Sequence, residues 1–315
     1  VKVSRFDVKM QRPSVVAFGV FDGLHLGHQA LLAHLVELSA SGATPTIVTF
    51  DPHPALVLAP AKAPLLIGTL EQRLEGFAAL GIQQAAVLEF DEASALESAA
   101  AFVERVLVGH LGVVDLVVGD DVHFGRDRSG DVELLRREGS RRGFRVHVSP
   151  TYGSDQRYSS TAVRELLRAG DVLAAAEILG RPFALRGTVV HGDARGRELG
   201  FATANLRVQE RQVLPALGIY AAAVLLASGE WRAGAASVGT RPQFYDNGGV
   251  LVEVHLIDFD GDLYDQVLNV AFLQRLRGEA TFETVQDLRD QIGRDVANSR
   301  DAFEVFTPEA SVLLG

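Results

Sequence analysis

Two imidazoles, His25 and His28, close the string Phe18-Gly19-Val20-Phe21-Asp22-Gly23-Leu24-His25-Leu26-Gly27-His28. Each can donate a hydrogen bond through a ring N–H, and protonation adds positive charge. That chemistry suits phosphate oxygens. Gly19, Gly23 and Gly27 let backbone turn tightly and approach a ligand closely. With Phe21 and Asp22 they are the candidate phosphate-loop residues. Val15-Val16-Ala17-Phe18 reads as a short buried strand, and beyond the string Leu31, Leu35 and Leu38 recur at helical spacing. A strand, a glycine-bearing loop and a helix N-terminus together make an anion site, because unpaired N–H groups and the positive end of the helix dipole point outward there.

Three further segments of the first half carry site chemistry. Thr49-Phe50-Asp51-Pro52-His53-Pro54 ends an apolar run, and Gly119 to Asp131 ends another with two glycines and the arginines Arg126 and Arg128. Tyr158-Ser159-Ser160-Thr161-Ala162-Val163-Arg164 opens a helical pattern. Ordinary capping needs one hydroxyl. Three in a row, with Arg164 one turn on, suit a phosphate better.

The second half holds its own constellation. Arg186 to Asn205 includes Gly187, Gly192, Gly196 and Gly200, a loop whose N–H groups could wrap a phosphate chain. Thr203 and Asn205 are neutral oxygen donors suited to phosphate or to hydrated Mg²⁺. In Val250-Leu251-Val252-Glu253-Val254-His255-Leu256, strand alternation places Val252 and Val254 on one face and Glu253 with His255 on the other. Glu253 is thereby a candidate general base.

The elements that must position these residues differ between the halves. In the first, strand patterns at Val15–Gly19, Thr46–Phe50, Ala85–Phe90, Val113–Gly119 and Phe144–Val148 alternate with helical ones near Gln29–Leu38, Glu71–Leu80, Ala95–Leu107 and Asp131–Arg142. Alternation implies crossovers and a parallel sheet in a Rossmann-like α/β domain. Ligands there sit at the carboxyl ends of strands. In the second half, Ile219–Ala227 and Glu230–Val238 flank Ser228-Gly229, and Val250–Phe259 and Leu263–Phe272 flank Asp260-Gly261-Asp262. Both read as hairpins, the latter on its Asp-Gly. Val285, Leu288, Ile292 and Val296 share a helical face, with Thr284 and Asp287 as a capping box. An antiparallel β-barrel closed by a helix is expected. The boundary falls between Arg168 and Arg186, near a short helix at Asp171–Leu179, giving domains 1–180 and 181–315.

Bulk properties narrow the functional classes. The 315 residues carry a formal net charge of −10, which argues against nucleic acid as a partner. No cysteine is present, so thiolate metal sites, disulfides and cysteine nucleophiles are excluded. The most apolar stretch, Ile219 to Ala227, is too short to span a bilayer. The first residues, Val1-Lys2-Val3-Ser4-Arg5, carry no signal-peptide pattern, and a cytoplasmic location is expected.

The string ending in His25-Leu26-Gly27-His28 resembles the signature of adenylyl-transferring nucleotidyltransferases, where such a pair stabilises charge on ATP as pyrophosphate leaves. Together with Ser159 to Arg164 it resembles the FMN adenylyltransferase module of the bifunctional prokaryotic riboflavin kinase/FAD synthetase family. Gly187–Asn205, Leu214–Ala221, Val252–Tyr264 and Phe272–Glu279 resemble that family's riboflavin kinase module. A monomer or weak homo-oligomer is expected. The resemblance implies Mg-ATP, riboflavin and FMN as substrates or cofactors and FAD as product. It implies that Ser159, Ser160, Thr161 and Arg164 grip ATP phosphates, that Thr203 and Asn205 bind Mg²⁺ and ATP, and that Glu253 is the base. His53, Asp121, Phe124, Arg128 and Arg277 are the candidate flavin contacts. Two positions depart from the family pattern. Pro-Thr-Ala-Asn is Ala202-Thr203-Ala204-Asn205 here, which removes a φ restraint. Arg-Pro-Thr-Phe is Arg241-Pro242-Gln243-Phe244. They leave open a monofunctional FMN adenylyltransferase whose kinase-like domain only binds flavin. A non-catalytic nucleotide-binding regulator is the reading from a different class.

Overall fold

The structure, a computed structural model, describes residues 1–6, 8–150, 158–192, 201–240 and 250–308. Two compact units divide the chain: Val1–Pro64 with Leu70–Ser159, and Leu65–Thr69 with Ser160–Gly315.

In the first unit the elements run β1 (Lys2–Ser4), β2 (Ser14–Phe18), α1 (Leu26–Ser39), β3 (Thr44–Phe50), α2 (Pro54–Leu58), α3 (Leu70–Ala79), β4 (Gln84–Leu88), α4 (Glu92–Leu96), α5 (Ala99–Phe102), β5 (Val113–Gly119), α6 (Val132–Arg142) and β6 (Arg145–Ser149). All strand pairs are parallel, in the order β1-β4-β3-β2-β5-β6. Apart from β1 this is the doubly wound order, and its direction reverses between β2 and β5. Adjacent residues of β2 feed opposite cores, as the pleat requires. Val15 and Ala17 pack with Leu32, Leu35 and Phe77, and Val16 packs with Leu107, Leu111 and Leu116. Three-residue β1 was not expected, being too short to show a period. The single helix expected at Ala95–Leu107 is two. Asp91 and Ser98 each cap a helix start, accepting from Ser94 N and Ala101 N, and the second helix continues with π-helical winding over Val103–His110.

The second unit holds α7 (Ser160–Ala169), α8 (Val172–Leu179), β7 (Phe183–Val190), β8 (Ala204–Val208), β9 (Gly218–Leu225), β10 (Trp231–Thr240), β11 (Val250–Leu256), β12 (Val267–Arg277) and α9 (Val285–Glu304). The strands close an antiparallel barrel in the order β10-β11-β8-β7-β12-β9. Leu206, Tyr220, Val238, Val254 and Phe272 are among its buried residues. The β9–β10 hairpin forms as expected. The Asp260-Gly261 hairpin does not: β11 pairs with β8 and β10, and β12 with β7 and β9. Ladder partners on both edges of each strand outweighed the local turn signal. In α9, Thr284 caps by accepting from Asp287 N at 3.1 Å. Val285 is 61% exposed, not core-facing. The most buried residues of this helix are Asp295 and Ser299, because Asp295 receives the Arg277 guanidinium at 2.8 Å.

Segment Leu65–Thr69 lies with the barrel although both neighbouring stretches of chain belong to the first unit. Leu66 N donates to Arg211 O at 2.7 Å and Val213 N to Leu66 O at 2.8 Å. Gln212 Nε2 reaches Ile67 O at 3.3 Å.

Candidate functional site

The loop from Gly19 to His25 leaves the carboxyl end of β2, at the sheet's point of reversal. Phe21, Gly23 and Leu24 have φ of +55°, +80° and +45°. Left-handed backbone costs a non-glycine residue roughly 1–3 kcal/mol. Burial of Phe21 and Leu24, 5% and 2% exposed, returns about 1.5–3 kcal/mol each. The winding is therefore held by packing. Phe21 lies edge-on to Phe77 at 5.7 Å and to His28 at 5.2 Å. Its side chain serves the core, leaving only its backbone for a ligand. Gly19 and buried Asp22 lie in the same loop.

His25 is the N-cap of α1, and its Nδ1 accepts from His28 N at 3.4 Å. An accepting Nδ1 puts the ring proton on Nε2. The two imidazoles stack at 3.6 Å and 22°. Gly27 and His28 occupy the first turn of α1. His28 keeps some exposed surface, but its Nδ1 is buried and has no hydrogen-bond partner among the described residues. Burial, and then the neighbouring His25, hold its pKa well below the ordinary 6.5.

The loop after β5 lies on the other side of the reversal. Phe124 packs edge-on to Phe18, the last residue of β2, at 5.1 Å. It also bridges to Gly130, with Phe124 N donating to Gly130 O at 3.1 Å. Gly125 has φ +71°, and a Cβ there would lie 2.5 Å from Ala99 N, so this glycine seats the loop. Asp121 and Arg128 are exposed on the same loop. His53 caps α2, its Nδ1 accepting from Ala55 N at 3.0 Å. A residue that sequence reading missed is Arg73 on α3, only 3% exposed. Its Nη1 donates to Val20 O at 2.8 Å and to Thr49 Oγ1 at 3.1 Å. The signal was an arginine inside the apolar helical stripe Leu70, Leu74, Phe77.

Ser160 opens α7, with Ser159 just before it and Thr161 exposed. Arg164 is 7% exposed, and its Nε donates to Leu65 O at 2.6 Å. This helix belongs to the second unit.

In the barrel, register lines up Val190, Asn205, Glu253 and Ser237 across β7, β8, β11 and β10. Cross-strand partners share a face, so Asn205 and Glu253 are side-by-side neighbours. Val252 and Val254 point inward, 1% and 0% exposed, which leaves Glu253 half-buried on the other face, as expected. A Cβ on Gly192 would collide with the Asn205 amide, so that side chain would have to move to admit any larger residue. Thr203 is exposed two residues before Asn205. At Ala202, where the resembled family has proline, the carbonyl accepts from His255 Nδ1 at 2.8 Å, and Phe201 lies edge-on to that ring at 5.4 Å. Gly187 lies inside β7, buried among ladder partners, away from any loop. Arg277 gives Nε and Nη2 to Asp295 and Nη1 to Gly278 O. Gly200 and Gln243, with Arg241, Pro242 and Phe244, lie outside the described residues.

The FAD synthetase family model matches residues 7–162, and the riboflavin kinase model matches residues 179–303. The chain is 41% identical over 291 residues to the bifunctional riboflavin kinase/FMN adenylyltransferase of Pseudomonas fluorescens, covering 92% of this chain and 93% of that one. The chain belongs to the bifunctional riboflavin kinase/FMN adenylyltransferase family. The Escherichia coli K12 relative is 38% identical over 302 residues, 95% of each chain. A crystal structure described as a macrolide-efflux protein from Streptococcus pneumoniae superposes with a TM-score of 0.86 at 29% identity, covering 95% of this chain and 99% of that one. Among the described residues no helix is long and apolar enough to cross a membrane.

Proposed function

We propose that the chain makes FAD from riboflavin in two consecutive reactions, divided between residues 1–180 and 181–315. In the barrel, Glu253 takes the proton of the riboflavin 5′-hydroxyl as its oxygen attacks the γ-phosphorus of ATP, giving FMN and ADP. A primary alcohol is a poor nucleophile, so a carboxylate beside the phosphate-binding Asn205 is the group this reaction needs. Thr203 and Asn205 would hold Mg²⁺ with the ATP phosphates. Their neutral oxygens fit a hydrated cation, and the close approach of Gly192 to the Asn205 amide brings the loop backbone beside that donor. The ion supplies charge neutralisation on the phosphates when bound.

In the first unit the FMN phosphate attacks the α-phosphorus of a second ATP, and pyrophosphate leaves. No protein base is required, since a phosphate monoester with a second pKa near 6 is largely dianionic at about pH 7. Positioning and charge stabilisation suffice. His25 Nε2 and the His28 ring are assigned to the departing pyrophosphate. Ser159, Ser160, Thr161 and Arg164 are assigned to ATP phosphates on their motif, and His53, Asp121, Phe124, Arg128 and Arg277 to flavin. The lack of cysteine and the charge of −10 support a cytoplasmic protein with no nucleic-acid partner. A monomer or weak homo-oligomer is the assembly we propose.

The observation that carries the bifunctional reading is the register of Glu253 with Asn205. It sets a carboxylate beside a side-chain amide, which supports a base next to a phosphate ligand, a pairing that a flavin-binding module does not need. Chromatography of the full chain incubated with ATP and Mg²⁺, first with riboflavin and then with FMN, tests it. FAD from both substrates supports both reactions. FAD from FMN alone reduces the barrel to a binding module.

A further inference from the structure

We propose that Arg73 is the positioning residue of the adenylylating site, pinning the Val20 carbonyl so that the Phe21 N–H is presented to an ATP phosphate. The proposal rests on reading the Gly19–His28 loop as the ATP-phosphate site.

Arg73 joins the carboxyl ends of two adjacent strands. Its Nη1 donates to Val20 O at 2.8 Å and to Thr49 Oγ1 at 3.1 Å, and its Nη2 to Phe50 O at 3.5 Å. Thr49 Oγ1 donates to the same Val20 carbonyl at 3.2 Å. Val20 thus follows β2 and Phe50 ends β3, with one guanidinium spanning both. Among the described residues every hydrogen bond to Arg73 comes from a neutral acceptor, and its Nε is buried with none. Burial costs the cation energy, which the nearby carboxylates of Asp22, Asp51 and Glu71 offset in part. Charge balance alone gives no reason for a planar fork at the two strand ends.

The backbone supplies one. In a planar trans peptide the C=O and N–H point in opposite directions. Fixing the Val20 carbonyl on Arg73 therefore turns the Phe21 N–H to the other side of the loop. Phe21, at φ +55°, is where the chain kinks. Its N–H donates to no acceptor among the described residues. An aimed N–H without a protein acceptor, four residues before the stacked histidines, is a donor for an anion. The guanidinium fork is what spans two strand ends. A lysine keeps the charge and loses the fork.

Arg73→Met and Arg73→Lys in the full chain test this, each assayed for FAD from FMN and for FMN from riboflavin. The second reaction serves as an internal control on folding. In Arg73→Met the KM for ATP in FAD formation should rise about tenfold or more, the size of one lost bond to a charged group. Arg73→Lys should fall between it and wild type. The KM for FMN and the kinase rate should stay within about twofold. If the methionine variant fails to fold, the lysine variant decides alone. Unchanged KM for ATP in both variants, or both reactions declining together with the unfolding midpoint, overturns the proposal. Absence of FAD formation by the wild type would instead remove the site reading on which it stands.

Discussion

Among the described residues His28 Nδ1 is buried and has no hydrogen-bond partner. Its depressed pKa has a defined consequence for stability. Between the depressed value and 6.5 the unfolded chain binds a proton that the folded chain does not. Stability therefore rises with pH through that window and is lost as pH falls below 6.5. Urea midpoints by circular dichroism at about pH 7.5 and 5.5 should differ in the wild type, and the gap should narrow in His28→Asn. For catalysis, His25→Ala or His28→Ala should cut FAD formation from FMN by about 10²–10³, with FMN formation from riboflavin unchanged. Glu253→Gln should do the reverse, lowering FMN formation by about 10²–10⁴ while FAD formation from FMN persists. The histidine string and the alternation around Glu253 were legible in the sequence because each is a local pattern. Arg73 was not singled out. Its meaning depends on carbonyls some twenty and fifty residues away, which no local pattern displays.

At the scale of elements, two close approaches decide function and stability. Gly192→Ala drives a methyl group into the Asn205 amide. We expect the kinase KM for ATP to rise about tenfold or more as Asn205 is displaced, a bond to a charged ligand being worth about 1.5–3 kcal/mol. Initial rates against ATP concentration would read it, and an unchanged KM would separate Gly192 from the phosphate loop. Asp295→Ala strands Arg277 beneath α9 and should destabilise the barrel by about 3 kcal/mol. Trp231, which packs on Phe306 at 5.1 Å and is the chain's one tryptophan, reports that loss by fluorescence in denaturant. Helices and parallel strands were readable from periodicity. The β11–β12 connection was misread because an Asp-Gly turn signal is local, whereas strand partners in a closed barrel are chosen across its circumference.

At the scale of the molecule, Leu65–Thr69 and the α7–α8 pair lie with the barrel rather than with the sheet. A fragment of residues 181–315 lacks all of them. Its Trp231-reported unfolding midpoint should fall below that of the intact chain, by an amount set by the lost Leu66 ladder and helix packing. An equal midpoint would mean that these pieces add nothing to the barrel. Composition and pattern gave the two fold classes. They could not give this excursion, because its sequence, Leu65-Ile67-Gly68-Thr69 with Leu66 between, looks like any short loop beside a helix.

The excursion also sets an order of events during synthesis. Ile67 leaves the ribosome 145 residues ahead of Gln212, its hydrogen-bond partner. At about 5–20 residues per second, roughly 7–30 s pass before the partner exists. Through that interval the emerging chain carries an unpaired Leu66 edge, and its ladder cannot form until the ribosome has passed Val213. The later-made module is finished by an earlier-made piece, so a stall between the two halves would leave both a waiting edge and an incomplete kinase.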